Sequence, residues 1–318
     1  MARYLAVCLS PTLQRTIVLQ SFRENEVNRS AEHYLDAAGK GVNAARVLTQ
    51  LGQVATHLTH AGGRDRGLLL SLARSTGVDV RAIESSAEIR TCYTLVDSSS
   101  HTTTEIVEEA PPVPPETEER IQALYTELLD EHDVVIIGGT KSPGFSDALY
   151  PSMTREAKRR GLAVILDLRG PDLLNSLEYG PDVIKPNLAE FAGTFKMGDS
   201  GGAGTGAGTG KPGPISEHTR DARLIDAVLR QMELIHTRYG TVTVLTRGAN
   251  ETLFWNGTEV GREPPDHLVP VNTIGCGDAF TAGFAVAWAA GGPAAEAVRA
   301  GHAAAAQNAL QIRPGTLR

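Results

Sequence analysis

The octet Asn272-Thr273-Ile274-Gly275-Cys276-Gly277-Asp278-Ala279 is the most informative segment of the sequence, because it places an acid in a glycine turn directly ahead of an apolar run. Gly275 and Gly277 allow backbone amides to crowd together at a helix start, where free N–H groups and the helix dipole attract an anion. A carboxylate among such amides can accept a proton from a hydroxyl while the amides stabilise charge on a transferring phosphoryl group. The octet therefore predicts phosphoryl transfer with Asp278 as the base. Taken alone, it is equally compatible with a tight loop and a helix-start carboxylate.

A second glycine-bracketed turn occurs near the start of the chain, as Gly39-Lys40-Gly41-Val42-Asn43, ahead of a helix predicted for Asn43–Leu51. It offers backbone amides, one ammonium group and one side-chain amide, which can bind sugar hydroxyls or a phosphate. A glycine turn before a helix can also serve only to cap it. The presence of both turns favours a ligand site that they share.

A third segment, Lys185-Pro186-Asn187-Leu188-Ala189-Glu190, follows a predicted strand. Asn187 and Glu190 are three residues apart, which places them on one face of a short helix. Their oxygens suit Mg²⁺, which keeps several of its waters and is often held through them. The spacing is equally that of a helix-capping pair.

Length, charge and cysteine content restrict the class of protein. The 318 residues suit one large α/β domain over 1–318. A formal charge of -7, from 37 acidic and 30 basic residues without long runs of either sign, gives no reason to expect nucleic-acid or membrane binding. Three scattered cysteines and the lack of a signal-peptide pattern lead us to expect a cytoplasmic protein.

Hydrophobic periodicity predicts strands and helices that alternate along most of the chain. A strand over Tyr4–Leu9 and the helix over Asn43–Leu51 open this pattern. It continues with helices over Glu116–Leu129, Ser146–Arg159 and Asp221–His236 and with strands over Asp133–Ile137, Ala163–Leu168, Val183–Lys185 and Thr241–Thr246. Such alternation indicates a mainly parallel sheet covered on both faces, whose ligands bind beyond the carboxyl ends of the strands.

Two regions depart from this alternation. Short strands, interpreted as exposed, are predicted at Arg15–Leu19 and Ala31–Leu35, and a second set of short strands is predicted at Arg90–Asp97 and Thr102–Val107. Together these segments, within about 15–35 and 90–107, indicate a small lid sheet. The segment Gly198–Gly213 holds 8 glycines in 16 positions, too flexible a composition to pack, and is predicted to be a linker or insertion within the domain.

Taken together, these motifs resemble those of the PfkB family of ribokinase-like carbohydrate kinases, and more narrowly its 1-phosphofructokinase and tagatose-6-phosphate kinase branch. The segments that carry the family resemblance are Ala37–Asn43, Lys185–Asn187 with Glu190, and Asn272–Asp278, and those that fit the sugar-phosphate branch are Glu26–Arg29, Arg90 and Thr104–Ile106. The resemblance implies an α/β fold of three layers, α/β/α, with a mainly parallel central sheet and a small β-sheet lid.

The resemblance also implies roles for individual residues. Asp278 is the expected catalytic base, and Gly275, Cys276 and Gly277 form the expected anion hole. The expected contacts of the acceptor are Gln14, Arg29, Gly39, Lys40, Asn43, Arg90, Thr140 and Asp278. The expected contacts of ATP are Lys185, Asn187, Thr246, Arg247, Gly248, Gly275, Gly277 and Asn308, and Mg²⁺ is expected at Asn187 and Glu190 through water. The implied reaction phosphorylates a hydroxyl of a sugar phosphate, in a homodimer that pairs through its lids.

One departure from the family pattern bears on the acceptor. Family members usually carry an aspartate that grips sugar hydroxyls where this chain has Gln14, at the end of Ser10-Pro11-Thr12-Leu13-Gln14. A glutamine can donate and accept hydrogen bonds but supplies no charge. A fructokinase or a nucleoside kinase of the same fold therefore stays open as an alternative. From another class, a sugar or nucleotide sensor without turnover also stays open, although the retention of Asp278 and both glycines disfavours it.

Overall fold

The computed structural model describes residues 1–197 and 217–317, so the predicted insertion at Gly198–Gly213 lies outside the described residues. The strands are β1 (Arg3–Val7), β2 (Thr12–Leu19), β3 (Glu32–Ala38), β4 (Val54–Gly62), β5 (Asp79–Ser85), β6 (Arg90–Asp97), β7 (Thr102–Val107), β8 (Val134–Gly138), β9 (Ala163–Asp167), β10 (Val183–Ile184), β11 (Val242–Arg247), β12 (Asn250–Trp255) and β13 (Val260–Glu263). The helices are α1 (Lys40–Gln50), α2 (Arg66–Arg74), α3 (Glu116–Leu129), α4 (Leu149–Arg159), α5 (Gly170–Leu177), α6 (Leu188–Thr194), α7 (Glu217–Tyr239), α8 (Cys276–Ala289) and α9 (Ala294–Ala309).

The larger sheet is the mainly parallel one that the alternation predicts. Its nine strands run in the order β13-β12-β11-β10-β9-β8-β1-β4-β5, and among the described residues its antiparallel pairs are β11 with β12 and β12 with β13. The central strand β8 reads Val-Val-Ile-Ile-Gly and is buried throughout, as expected for a strand covered on both faces. The predicted fold class is therefore confirmed, with strand and helix bounds within a few residues of the predicted ones.

Helices cover both faces of this sheet, which gives the predicted three layers. Alternate residues of β8 point to opposite sides, so that Ile136 belongs to one hydrophobic cluster and Ile137 to the other. The first cluster takes in α1, α2, α8 and α9, and the second takes in α3 to α7. Burial of these two apolar layers is the main stabilising contribution to the fold.

The smaller sheet has four strands in the order β3-β2-β6-β7 and corrects one prediction. Strand β2 is not the exposed strand that was predicted, because it is buried at Leu13, Gln14 and Thr16. It also begins at Thr12 rather than Arg15. The physical reason is its place inside the sheet, where β3 and β6 flank it. Only the edge strand β7 is largely exposed, with Ile106 among its exposed side chains.

The segment 312–317 ties the first half of the chain to the second. Asn272 Nδ2 donates to the carbonyl of Ile312 at 2.9 Å, and Arg46 Nη1 of α1 donates to the carbonyl of Pro314 at 2.9 Å. Since Asn272 opens the turn before α8 and Arg46 lies on the helix after the first glycine turn, this segment joins the two turns from behind.

No helix within the described ranges combines the length and the apolar character that a membrane crossing requires.

Candidate active site

A cavity of about 610 Å³, called the cleft below, lies beyond the carboxyl ends of β1, β8, β9 and β10 and reaches the smaller sheet. Both glycine turns line it. The predicted site residues found on its walls are Gln14, Gly39, Lys40, Asn43, Arg90, Thr140, Lys185, Asn187, Glu190, Thr246, Gly275, Gly277 and Asp278. The structure thus brings together in one place most of the residues that the sequence indicates.

Asp278 lies at the start of α8, on the floor of the cleft. Gly275 is the N-cap residue of α8 and has a left-handed φ of 84°, which a residue with a Cβ adopts only with strain. Asp278 follows in the first turn, with 8% of its surface exposed, and its Oδ2 accepts a hydrogen bond of 2.8 Å from Asn43 Nδ2. The two glycine turns therefore meet through an acid and an amide that are 235 residues apart in the chain.

The environment of Asp278 raises the pKa of its carboxyl from 3.8 to about 6. Burial is the largest cause, and the negative charge of Asp167 adds to it. The ammonium group of Lys40 and the hydrogen bond from Asn43 act in the opposite direction and keep the pKa below neutrality. A carboxylate with such a pKa is ionised at pH 7 and yet basic enough to accept a proton from an alcohol in a transition state.

Asn308 supports this turn from behind, outside the cleft. Its Nδ2 donates to the carbonyl of Ile274 at 3.0 Å, and its Oδ1 accepts from the backbone N of Gly315 at 2.7 Å. It is 1% exposed and lines neither the cleft nor the adjoining cavity described below. In the structure Asn308 fixes the shape of the turn, and the predicted direct contact with ATP does not follow from its position.

Asp167, at the end of β9, is a site residue that the sequence did not reveal. Its Oδ1 lies 2.8 Å from Lys40 Nζ and its Oδ2 lies 3.3 Å from Lys185 Nζ. Burial alone would raise the pKa of this carboxyl, but the ammonium groups of Lys185 and Lys40 outweigh burial and lower it. The pKa of Lys40 is raised, because its carboxylate neighbours outweigh its own burial. The two lysines and Asp167 form a charged cluster beside Asp278.

Asn187 and Glu190 form the capping pair that the sequence left open as an alternative. Asn187 Oδ1 accepts from the backbone N of Glu190 at 2.8 Å, and Glu190 Oε2 accepts from the backbone N of Asn187 at 3.0 Å. Both side chains also line the cleft, where Glu190 Oε1 lies 3.8 Å from Lys40 Nζ. Within residues 1–197 and 217–317, no three or more His, Cys, Asp or Glu side chains are grouped so that they could hold a metal ion by themselves.

A second cavity of about 650 Å³ adjoins the cleft and shares Asn187 and Thr246 with it. Its walls include apolar side chains of α6 and α7, with Leu188, Ala192, Leu224 and Ile225 among them. Arg247 and Gly248, both predicted to contact ATP, line this second cavity rather than the cleft.

The acceptor-binding residues predicted near the smaller sheet have distinct surroundings. Arg90 Nε donates to Thr12 Oγ1 at 2.9 Å, and Gln14 Nε2 donates to Thr94 Oγ1 at 2.7 Å. Both line the cleft. Arg29 does not, because it lies in an exposed stretch between β2 and β3, so within one chain the structure leaves it out of the site.

An acid in a glycine turn at a helix start, beyond a parallel sheet and facing a smaller sheet, defines a ribokinase-like kinase. Residues 6–316 match the pfkB family carbohydrate kinases, and the chain belongs to this family. The predicted family and the predicted enzyme class, a phosphotransferase acting on a hydroxyl group, are thereby confirmed.

Individual relatives agree with this assignment. The chain is 28% identical over 298 residues to a 1-phosphofructokinase from Rhodobacter capsulatus, with 93% of this chain and 87% of that protein covered. It is 28% identical over 190 residues to a tagatose-6-phosphate kinase from Staphylococcus epidermidis, with 59% and 61% covered. The crystal structure of phosphofructokinase-2 from Escherichia coli in complex with fructose-6-phosphate superposes with a TM-score of 0.80 at 20% identity, covering 99% of this chain and 96% of that one.

Proposed function

We propose that the protein transfers the γ-phosphoryl group of ATP to a hydroxyl of a sugar phosphate, with Asp278 as the catalytic base. The observation that carries the proposal is the position of Asp278, buried in the first turn of α8, facing the cleft and hydrogen-bonded to Asn43. A pKa of about 6 suits this group to accept the proton of an attacking alcohol at neutral pH.

The surrounding groups would stabilise the charge that develops during transfer. The backbone amides of Gly275, Cys276 and Gly277 lie at the N-terminus of α8, where the helix dipole favours an anion. A Cβ on Gly277 would meet no atom within 4 Å, so the turn stays open on the side that a phosphoryl group would occupy. Lys40, held by Asp167, adds a fixed positive charge beside Asp278.

ATP and Mg²⁺ are the cofactors that these surroundings fit. The second cavity offers apolar walls for a base, with Arg247 and Gly248 at its side, and it opens to the cleft at Asn187 and Thr246. Asn187 and Glu190 both line the cleft, and amide and carboxylate oxygens of this kind suit Mg²⁺ held through water. When bound, Mg²⁺ would neutralise phosphate charge. Lys185, also on the cleft wall, would contact the nucleotide phosphates.

A sugar phosphate is favoured as the acceptor for two reasons. The relatives in Rhodobacter capsulatus and Staphylococcus epidermidis are by name kinases of phosphorylated sugars. Arg90 lines the cleft at the smaller sheet, and its guanidinium group matches phosphate oxygens. Gln14, Gly39, Asn43 and Thr140 would contact the sugar itself.

The decisive test is ATP consumption across fructose 1-phosphate, fructose 6-phosphate, tagatose 6-phosphate, fructose, tagatose and adenosine. We expect turnover with a sugar phosphate, and Arg90→Ala should weaken that acceptor by about 1.5–3 kcal/mol, the cost of losing a charge-assisted contact. Arg15→Ala is the matched control, because Arg15 lies next to Gln14 on the same strand but points to the other face. Turnover confined to fructose or adenosine would favour a fructokinase or a nucleoside kinase instead. Binding without turnover of any compound would favour the sensor.

We further propose that residues 1–318 form one cytoplasmic kinase domain in which the smaller sheet is a lid, and that two lids pair in a homodimer. The edge strand β7 supports the pairing, since Ile106 is 53% exposed and points to the face opposite Val107, which lines the cleft. Arg29 would then act across the interface. Sedimentation equilibrium tests this assembly, and a monomer at micromolar concentration would contradict it.

A further inference from the structure

Arg169 lies on the cleft wall, two residues beyond Asp167, although neither the motifs nor the proposed function assign it a role. The backbone at Arg169 is extended, with φ -142° and ψ 168°, so the strand alternation of β9 continues through it. Leu168 packs into the hydrophobic cluster on the opposite side. Arg169 therefore points to the same side of the sheet as Asp167. Its position lies about 6–7 Å beyond that of Asp167 along the strand direction, which is the length of two residues of a strand.

The positive charge of Arg169 is available to a ligand. The acid in the first turn of α5, Asp172, forms an ion pair with Lys141. The acid at the end of β9, Asp167, is paired with Lys40 and Lys185. Within the described part of the chain, the guanidinium group of Arg169 makes neither an ion pair nor a hydrogen bond. Arg90, the other arginine of the cleft, also lacks a carboxylate partner among those residues, but its guanidinium group is bonded to Thr12 Oγ1 and to the carbonyl of Glu108.

The cleft wall formed by the smaller sheet has too little positive charge to bind a phosphate group without a cation from the other side. Arg90 is restrained by its bonds to Thr12 Oγ1 and to the carbonyl of Glu108, and Glu105 and Glu109 line the cleft on the same side. A sugar phosphate carries a charge of about -1.5 to -2 at pH 7. One arginine beside two carboxylates leaves this wall with an excess of negative charge, which repels a phosphate, and the cation on the other wall cancels that excess.

We propose that Arg169 binds the phosphate group of the acceptor from the side of the larger sheet, opposite Arg90, and so selects phosphorylated over unphosphorylated sugars. The inference rests on the proposed sugar-phosphate kinase activity. When the reacting hydroxyl of the acceptor is at Asp278, the phosphate-bearing end of the sugar points away from the cleft floor and toward Arg169. The transferring phosphoryl group, in contrast, belongs at the floor beside Lys40 and the α8 amides.

Steady-state kinetics of Arg169→Ala and Arg169→Lys test this assignment, with fructose 1-phosphate, fructose 6-phosphate and tagatose 6-phosphate and with the parent sugars. For the sugar phosphate that the wild type uses, we expect Arg169→Ala to raise KM about 10- to 100-fold, with kcat and the KM for ATP nearly unchanged. Arg169→Lys should recover part of the loss, because it keeps the charge but not the planar fork. Arg159→Ala, on the exposed side of α4, is the matched control.

Calorimetric titration of the same sugar phosphate without ATP gives a readout that does not depend on turnover. Its Kd should rise in Arg169→Ala by the same factor as KM. An unchanged KM and Kd would overturn the inference, and so would an equal fall in kcat for sugars and sugar phosphates, which would place Arg169 at the transferring group. A wild type that turns over no sugar phosphate would overturn the proposed function together with this inference, whereas a normal wild type with an unaffected variant overturns the inference alone.

Discussion

Two acids on the floor of the same cleft have opposite electrostatic surroundings. Asp167, at the end of β9, is held by the ammonium groups of Lys40 and Lys185, and its pKa is lowered. Asp278, at the start of α8, has one amide bonded to its carboxylate, and burial raises its pKa to about 6. Both are buried, so burial alone does not decide the pKa; the number of cations in direct contact does. We infer that the first acid holds the site together and that the second reacts.

The largest expected effect is the loss of stability in Asp167→Asn. The substitution would leave Lys185, whose side chain is 4% exposed, without its carboxylate. Removing one partner of a buried pair typically costs about 3–5 kcal/mol. Urea unfolding monitored by circular dichroism measures this cost. Glu251→Gln is the control, since it breaks an ion pair to Arg262 whose side chains are 40% and 51% exposed and should cost about 1 kcal/mol or less. Equal losses of unfolding free energy in the two variants would show that Asp167 does not have this structural role.

Asp278→Asn should separate activity from stability. Without the base, kcat is expected to fall about 100-fold or more. At pH 7 the folded protein should become more stable, by up to about 3 kcal/mol, because the variant no longer keeps a buried carboxylate ionised. The introduced side chain can still accept the hydrogen bond from Asn43 through its amide oxygen. Phosphorylation at the wild-type rate, or a variant less stable than the wild type, would contradict this interpretation.

The pH dependence of stability should report Asp278 directly. Its pKa rises from 3.8 to about 6 on folding, so folded protein binds the proton more tightly than unfolded chain between those values. As pH rises through that window, the wild type therefore loses stability relative to the Asp278→Asn variant. The difference in unfolding free energy between the two proteins should grow from pH 4 to pH 6 and then level off. A difference that is constant with pH would show that the carboxyl titrates normally.

The smallest effect is expected from Asn43→Leu, which removes the hydrogen bond to Asp278 Oδ2. The pKa of Asp278 should rise further, and the acid side of the kcat/KM profile should move up by about one pH unit. Titration of the acceptor phosphate is common to both enzymes and cancels in the comparison. Gln14→Leu is the control, because it removes a cleft amide that is bonded to Thr94 instead, and its profile should keep the wild-type midpoint.

The sequence predicts best those features that local backbone chemistry enforces. The turns around Lys40 and Asp278 could be recognised because glycine is required where φ is positive, as at Gly39 and Gly275. The buried strand β8 could be recognised because its apolar residues are continuous. These features led to the fold, the family and the floor of the cleft.

Features that depend on distant partners could not be predicted in this way. Strand β4 was not predicted because polar residues interrupt its apolar ones, and some of these polar residues are buried by contact with remote groups, as when Thr59 Oγ1 donates to the carbonyl of Cys8 at 2.8 Å. Asp167 reads as an ordinary strand end until Lys40, 127 residues away, is placed beside it. Asn308 is predicted to contact ATP, and its position behind the turn, where its Oδ1 accepts from the backbone N of Gly315, could not be derived from the sequence.

The segment 312–317 has a consequence for how the enzyme is made. Arg46 reaches the carbonyl of Pro314 across 268 residues, and a Cβ on Gly275 would lie 2.8 Å from the backbone N of Gly315. The two turns of the cleft are thus fixed against each other by residues that are synthesised after both of them. A nascent chain halted before this segment can form much of the larger sheet but cannot fix Asp278 against the first turn, so we expect phosphorylation to begin only once synthesis has passed it.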